Sequence, residues 1–315
     1  MTKTINETIR IIPLGGVGEI GKAMYVVEID EEIFIVDSGL MFPENEMLGI
    51  DIVIPDVTYL EENKARIKGI FLTHGHEDAI GSISYLLNKI QAPVYGSRLT
   101  IALAKEHLKE LPAAQPVKFF EVTNKSRMNF KSTHVTFFHT THSIPDSLGI
   151  VFHTSEGAIV HTGEFKFDQA AKGSYRPDIA KMAGLGEEGV FILMSDSTEA
   201  ERPGYTTSES VVEEHLSETF HGAKGRILVS LYSSNFIRIQ QVFDTAIEAR
   251  RKVAVVGKTL ETVFEVGKRL DYLQVDEETL ISIKDIGNYE DHEVVIIVSG
   301  TQGEPIEALE KMVRK

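Results

Sequence analysis

The sequence predicts an α/β protein in two parts: two face-to-face sheets with helices outside, then a parallel α/β unit. Three observations carry this reading. Short apolar, β-branched runs form two groups within residues 1–205, with helical segments between them. Beyond that point strands and helices alternate. Metal-ligand side chains also recur just past the predicted strand ends.

Ile9–Leu14, Met24–Ile29 and Ile33–Val36 read as strands. The loop Gly15-Gly16-Val17-Gly18-Glu19-Ile20-Gly21 imitates a dinucleotide fingerprint. The strand-like Met24-Tyr25-Val26-Val27 follows it, so no helix N-terminus is offered to a phosphate. Ile67–Leu72 is a buried strand, Ile80–Ile90 an amphipathic helix, Val94-Tyr95 a short strand and Leu99–Lys109 a helix. Val135–Phe138, Gly149–Phe152, Ala158–Val160 and Val190–Met194 supply the second group of strands. Thr206 and Glu209 suggest a capping box ahead of a helix through Phe220. Strands at Ile227–Leu231, Val253–Val256 and Val294–Val298 then alternate with helices at Phe236–Ala249 and Leu260–Leu270. A last helix is expected over Gly303–Lys315.

Composition narrows the function. With 42% hydrophobic and 25% charged residues the chain can build ordinary globular cores. It shows no apolar run of the ~20 residues a membrane helix requires and no signal-peptide core. Cysteine is absent, which excludes disulfides and thiolate metal sites and favours a cytoplasmic location. The net charge of −15 argues against broad nucleic-acid binding. A polyanionic substrate would need metal ions or a local basic groove, for which Lys22, Lys166, Arg202, Arg238 and Lys258 are available.

The run Thr73-His74-Gly75-His76-Glu77-Asp78-Ala79 carries the strongest chemical signal. Two imidazoles and a carboxylate at alternate positions, just after a buried strand, form a rigidly delivered H-x-H-x-D metal motif. His142 follows the strand Val135–Phe138, and Glu164 follows Ala158–Val160, so ligands converge from several loops. His153 and His161 read as supporting or structural residues. Asp37 is placed to orient the His74–Asp78 loop.

In this order Asp37, His74-x-His76-x-Asp78, His142 and Glu164 resemble the metallo-β-lactamase superfamily. Further strings resemble its β-CASP group and, within that, bacterial ribonuclease J: Leu14-Gly15-Gly16-Val17-Gly18-Glu19-Ile20-Gly21-Lys22, Phe42-Pro43-Glu44, Gly49-Ile50-Asp51, Thr141-His142-Ser143-Ile144-Pro145-Asp146-Ser147, Phe165-Lys166-Phe167-Asp168, Ser195-Asp196-Ser197-Thr198 and Gly300-Thr301-Gln302-Gly303-Glu304-Pro305. Positions 79 and 164, with Arg202-Pro203-Gly204-Tyr205, look most like the family's second, less active paralogue. The resemblance implies a metallo-β-lactamase αββα sandwich over 1–205 and an inserted β-CASP domain over 206–315, the chain being truncated relative to the family.

It also implies roles. His74, His76 and His142 would hold one metal ion, with Glu164 bridging to a second ion held by Asp78. Up to two Zn²⁺ or Mn²⁺ ions would generate the nucleophilic water. Asp78 would position or deprotonate that water, and Asp196 would orient a later histidine. The substrate would be RNA with a 5′ monophosphate, degraded 5′ to 3′ and in some members cut internally. The chain departs from the family where Ala79 offers no ligand atom and Glu164 replaces aspartate. One extra methylene displaces the bridging carboxylate by about an ångström, in sites where distances matter within about 0.2 Å. A second metal site that is weak or empty is therefore expected. Two readings follow: a ribonuclease of reduced activity in RNA processing and decay, or a structural subunit in a homo- or hetero-oligomer with an active ribonuclease J paralogue. A small-molecule hydrolase on the same metal fold is disfavoured by the α/β segment after residue 205.

Overall fold

β-Branched and aromatic residues alternate with turn residues so regularly in the first half that two sheets form there. The computed structural model describes residues 7–43 and 47–300, so the helix expected over Gly303–Lys315 lies outside the described residues. Two compact units divide the chain. The first comprises residues up to His142, Asp146–Phe167 and Gly173–Pro203; the second comprises Ser143–Pro145, Asp168–Lys172 and the residues from Gly204 on.

The first unit begins with β1 (Ile9–Gly15), β2 (Met24–Ile29) and β3 (Glu32–Val36), an antiparallel meander with a glycine-rich loop after β1 and a tight turn after β2. After α1 (Thr58–Glu62), β4 (Ile67–Phe71) adds parallel to β3. Then come α2 (Glu77–Ile80), α3 (Ile83–Lys89), β5 (Val94–Gly96), α4 (Arg98–Glu110) and β6 (Phe119–Glu121), which complete a sheet in the order β1-β2-β3-β4-β5-β6. The second sheet holds β7 (Arg127–Asn129), β8 (His134–His139), β9 (Leu148–Thr154), β10 (Gly157–His161) and, after α5 (Ile179–Glu188), β11 (Val190–Met194), ordered β11-β10-β9-β8-β7. Their inward faces meet in one core: Val27, Phe34, Val36, Phe71 and Tyr95 of the first sheet pack with Val135, Phe137, Ile150, Phe152 and Ile159 of the second. The apolar faces of α3 and α4 are buried too, through Ile83, Leu86, Leu87, Leu99 and Leu103. On the second sheet Leu185 and Met182 of α5 join Phe138, Val151 and Val160. This is the predicted αββα sandwich.

The second unit contains α6 (Glu209–Gly222), β12 (Ile227–Leu231), α7 (Phe236–Glu248), β13 (Lys252–Val256), α8 (Lys258–Arg269) and β14 (Val294–Ser299). The three strands are parallel in the order β12-β14-β13, with β14 buried along its whole length in the centre. Phe243 of α7 stacks on Phe264 of α8 at 5.4 Å, so the helices share a seam.

Several expectations are corrected. The single helix over Ile80–Ile90 is broken: α2 ends at Ile80, and Ser82 precedes α3. A Cβ at Gly81 would meet the Glu77 carbonyl and the Leu40 side chain at 2.5 Å, so the chain can turn this tightly only with glycine there. The Thr206/Glu209 capping box does not form. Ser208 is the cap of α6, and the buried Asp168 carboxylate accepts from the Glu209 N–H at 3.0 Å and the Ser208 hydroxyl at 2.9 Å. Helix α5 forms although Gly184 and Gly186 weaken its helical signal in the sequence; packing of Leu185 and Met182 outweighs that propensity. The three-residue strands β6 and β7 are too short to show a period.

Candidate metal centre

Strand β4 runs apolar to Phe71 and then releases the polar run that starts at Thr73. The loop after β3 braces that run with backbone hydrogen bonds. Asp37 N–H donates to the Phe71 carbonyl at 2.9 Å, Ser38 N–H to Ala79 at 2.7 Å and Leu40 N–H to Glu77 at 2.9 Å. Gly39 makes this approach possible: a Cβ there would lie 1.5 Å from the Asp78 carbonyl oxygen. Asp37 itself adopts φ 63°, a left-handed conformation that aspartate tolerates better than most residues.

On this frame three imidazoles converge edge to face. Ring centroids are 4.8 Å apart for His74 and His76, 5.0 Å for His74 and His142, and 4.6 Å for His76 and His142. Glu164 completes the group: ligand atoms of His74, His76, His142 and Glu164 all lie within 4.8 Å of one another. His142 Nε2 stands 3.1 Å from His76 Nδ1 and 3.0 Å from Glu164 Oε2. Asp78 adjoins the group, its Oδ1 3.8 Å from His74 Nε2. The loops carrying His142 and Glu164 are zipped together by a bridge between Thr141 and Lys166.

The donor set fits a metal ion. His74 Nε2 is buried and has no hydrogen-bond partner, a costly arrangement for a nitrogen without an ion to bind. Its other nitrogen, Nδ1, lies 2.8 Å from the Thr73 hydroxyl, which lies 2.9 and 3.0 Å from the two Asp37 oxygens. With Asp37 ionised, the Thr73 hydroxyl donates to it and accepts from His74 Nδ1–H, which leaves the Nε2 lone pair facing the cluster, as imidazole ligands require. Tetrahedral metal–nitrogen bonds of about 2.0–2.1 Å separate ligand atoms by about 3.3 Å, close to the spacings around His142 Nε2.

Charge leads to the same conclusion. Burial drives His74 well below the ordinary imidazole range, helped by His76 and His142, and drives His142 to about 4. Both rings are therefore neutral, the form that binds metal. Burial raises Asp78 to about 8, with the nearby Glu164 charge adding to it, and raises Glu164 as well. Burial also lifts Asp37 to about 8 against the pull of the Thr73 N–H and hydroxyl. Buried carboxylates this crowded need a cation to ionise together.

A pH prediction follows for the metal-free protein. Folded Asp37 and Asp78 keep their protons up to about 8, whereas the unfolded chain releases them near 4. The folded state thus holds extra protons, and their contribution to stability is lost as pH rises toward 8. His142 and His161, both held at about 4 by burial, work in the opposite sense. That opposition ends once unfolded histidine deprotonates near 6.5. Chelator-treated protein is expected to melt lower at pH 8 than at pH 6.5, while metal-loaded protein holds its Tm. Equal losses in both samples would contradict the assignment.

The remaining predicted residues fall around the cluster. Asp196 lies beside it, accepting from the Thr198 N–H at 2.8 Å and the Phe165 N–H at 3.5 Å, next to Glu164. His161 accepts from the Gly163 N–H at 3.1 Å and packs on Tyr25, which fixes the turn ahead of Glu164. His153 stacks on His134 at 4.1 Å, within the second sheet. Ala79 is buried at 1% exposure with only a methyl group to offer. The basic groove is corrected in part: Lys22 pairs with Glu19 at 3.0 Å, Arg202 with Glu199 at 2.5 Å and Arg238 with Glu209 at 3.0 Å. Three of its five cations are thus already balanced by glutamates. Thr73 was missed in the sequence; its position directly ahead of the motif, opposite Asp37, was the available signal.

Comparison with known proteins agrees with this geometry. Residues 17–194 match the metallo-beta-lactamase superfamily, and residues 224–315 match the ribonuclease J beta-CASP domain. Ribonuclease J 2 of Staphylococcus aureus (strain MRSA252) is 57% identical over 312 residues, 99% of this chain and 56% of that protein. Ribonuclease J 2 of Staphylococcus saprophyticus is 57% identical over 315 residues, 100% of this chain and 57% of that protein. The chain thus spans just over half the length of these relatives. A crystal structure of a protein of unknown function from Enterococcus faecalis V583 shares the fold, with a TM-score of 0.64 and 12% identity over 94% of this chain and 77% of that one.

Proposed function

This chain belongs to the ribonuclease J branch of the metallo-β-lactamase superfamily, and from that premise we propose that it acts in RNA processing and decay as a metal-dependent phosphodiester hydrolase of reduced power. The observation that carries the proposal is the three-imidazole cluster with Glu164, centred on the unpartnered His74 Nε2. His74, His76, His142 and Glu164 would hold the first ion, divalent as in this superfamily; imidazole and carboxylate donors suit zinc and manganese. When bound, the metal polarises the phosphoryl oxygen and makes water nucleophilic at neutral pH. The chain's own residues do the rest. Thr73 and Asp37 fix the His74 tautomer, Asp78 accepts the proton of the attacking water, and Asp196 steadies the backbone that carries Glu164. The substrate is RNA with a 5′ monophosphate, degraded 5′ to 3′ with internal cleavage as a further mode, in the cytoplasm. No helix among the described residues is long and apolar enough to cross a membrane.

A second reading is favoured by one observation. Ala79 is buried without a donor atom, so among the described residues only Asp78 and Glu164 would remain to hold a second ion. In that reading the protein is mainly a structural subunit that assembles with an active ribonuclease J paralogue. Full-length protein loaded with Mn²⁺ or Zn²⁺ and given 5′-monophosphorylated RNA separates the two. Slow nucleotide release that falls by about 10²-fold or more in His142→Ala supports the hydrolase. An inactive protein that raises the activity of an added paralogue supports the subunit. Activity equal in wild type and His142→Ala would remove the cluster from the chemistry.

A further inference from the structure

Directly after Glu164 the chain reads Phe165-Lys166-Phe167, a cation between two aromatic rings. Phe167 is 66% exposed, an expensive position for a phenylalanine unless something covers it. A single exposed apolar residue is commonplace, but this one is presented on a fixed backbone. The Lys166 N–H donates to the Thr141 carbonyl at 2.9 Å, one residue before His142. The Phe165 N–H is held on the Asp196 carboxylate, and the Phe165 ring meets Phe167 edge to face at 5.3 Å and 67°. The second ring is thereby steadied by the first while most of its own surface stays open to solvent. Three residues reach at most about 11 Å, so Phe167 stands within a nucleotide or two of a bond bound at the metal cluster. Lys166, the residue directly before Phe167, ties this strand to the His142 loop through its bridge with Thr141.

A rigid exposed ring, a neighbouring cation and a hydrolytic cluster together match single-stranded nucleic acid, whose bases each offer a π face to an aromatic side chain. An apolar protein partner would gain nothing from the lysine beside it. We infer that Phe167 is a stacking platform for one nucleobase of single-stranded RNA, holding the strand in register with the cluster formed by His74, His76, His142 and Glu164. This rests on the ribonuclease reading of that cluster. It assigns Phe167 a positioning role, with no part in proton transfer or metal binding.

The chain contains no tryptophan, so Phe167→Trp places an isolated fluorophore at the site. The probes are a cleavage-resistant phosphorothioate-linked oligoadenylate and an abasic strand of equal length and charge, added to metal-loaded protein. The oligoadenylate is expected to quench the Phe167→Trp emission and the abasic strand to leave it unchanged. Phe167→Ala is expected to weaken oligoadenylate binding by about 5- to 100-fold, corresponding to one lost base–aromatic stack, and to bind the abasic strand as wild type does. Truncating so exposed a ring removes little buried surface, and a circular-dichroism melt matching wild type shows the fold intact. Equal oligoadenylate affinity in wild type and Phe167→Ala, or equal quenching by both strands, overturns the stacking role and leaves the ribonuclease reading standing. Wild type that binds neither strand overturns both.

Discussion

Ala79→His combined with Glu164→Asp is expected to add a second bound ion and to raise RNA hydrolysis by about 10²-fold or more in the full-length protein. The argument starts from ligand chemistry. Burial pushes both Asp78 and Glu164 upward in pKa, with Glu164 adding to the rise at Asp78 and Asp196 and Asp37 adding to it at Glu164, so among the described residues the proposed second position has anionic donors and no imidazole of its own. Alanine has no lone pair to contribute at position 79. Glu164 serves the first cluster, its Oε2 3.0 Å from His142 Nε2, and the shorter aspartate side chain is expected to share its carboxylate more evenly with a second ion. Position 79 is 1% exposed, so the larger ring carries an overpacking cost of about 1–3 kcal/mol. A lower Tm with two ions bound would still be consistent. Two ions with unchanged turnover would refute this account of the deficit.

Phe71→Ala is expected to destabilise the first unit by about 3–5 kcal/mol, the usual range for emptying a phenylalanine site. Phe71 is fully buried and touches five other rings: Tyr95 stacks on it at 4.8 Å, with Phe34, Phe130, Phe137 and Phe152 at 5.9–6.2 Å. It joins both sheets and is the last residue of β4, two positions before Thr73. The cavity would therefore also loosen the Thr73–His74 relay, and metal affinity should fall alongside stability. Urea unfolding followed by a probe in the first unit reads the first effect, since two units need not unfold together. A midpoint unchanged within error would show that the sandwich does not depend on this ring.

Much of this was readable from the residues. The H-x-H-x-D run sits in the structure where its spacing after Ile67–Leu72 suggested, and His142 and Glu164 come to it from strand ends as their order implied. Asp37 reaches the motif loop as expected, although through Thr73. Much of what escaped the sequence depends on neighbours distant in the chain. Asp168 displaces Thr206 from capping α6 across 41 positions to Glu209. The break between α2 and α3 depends on Leu40 and Glu77 crowding Gly81. Arg238 is likewise absorbed by Glu209 across 29 positions, whereas Lys22 and Arg202 pair with glutamates only three residues away.

The most direct test of the central claim is metal content per chain, measured by mass spectrometry after loading with Zn²⁺ or Mn²⁺ and removal of excess ion. One ion bound per chain, lost in His142→Ala, is the predicted result. Two tightly held ions would contradict the defective second site, and none would contradict the assignment of His74, His76, His142 and Glu164 as a metal centre.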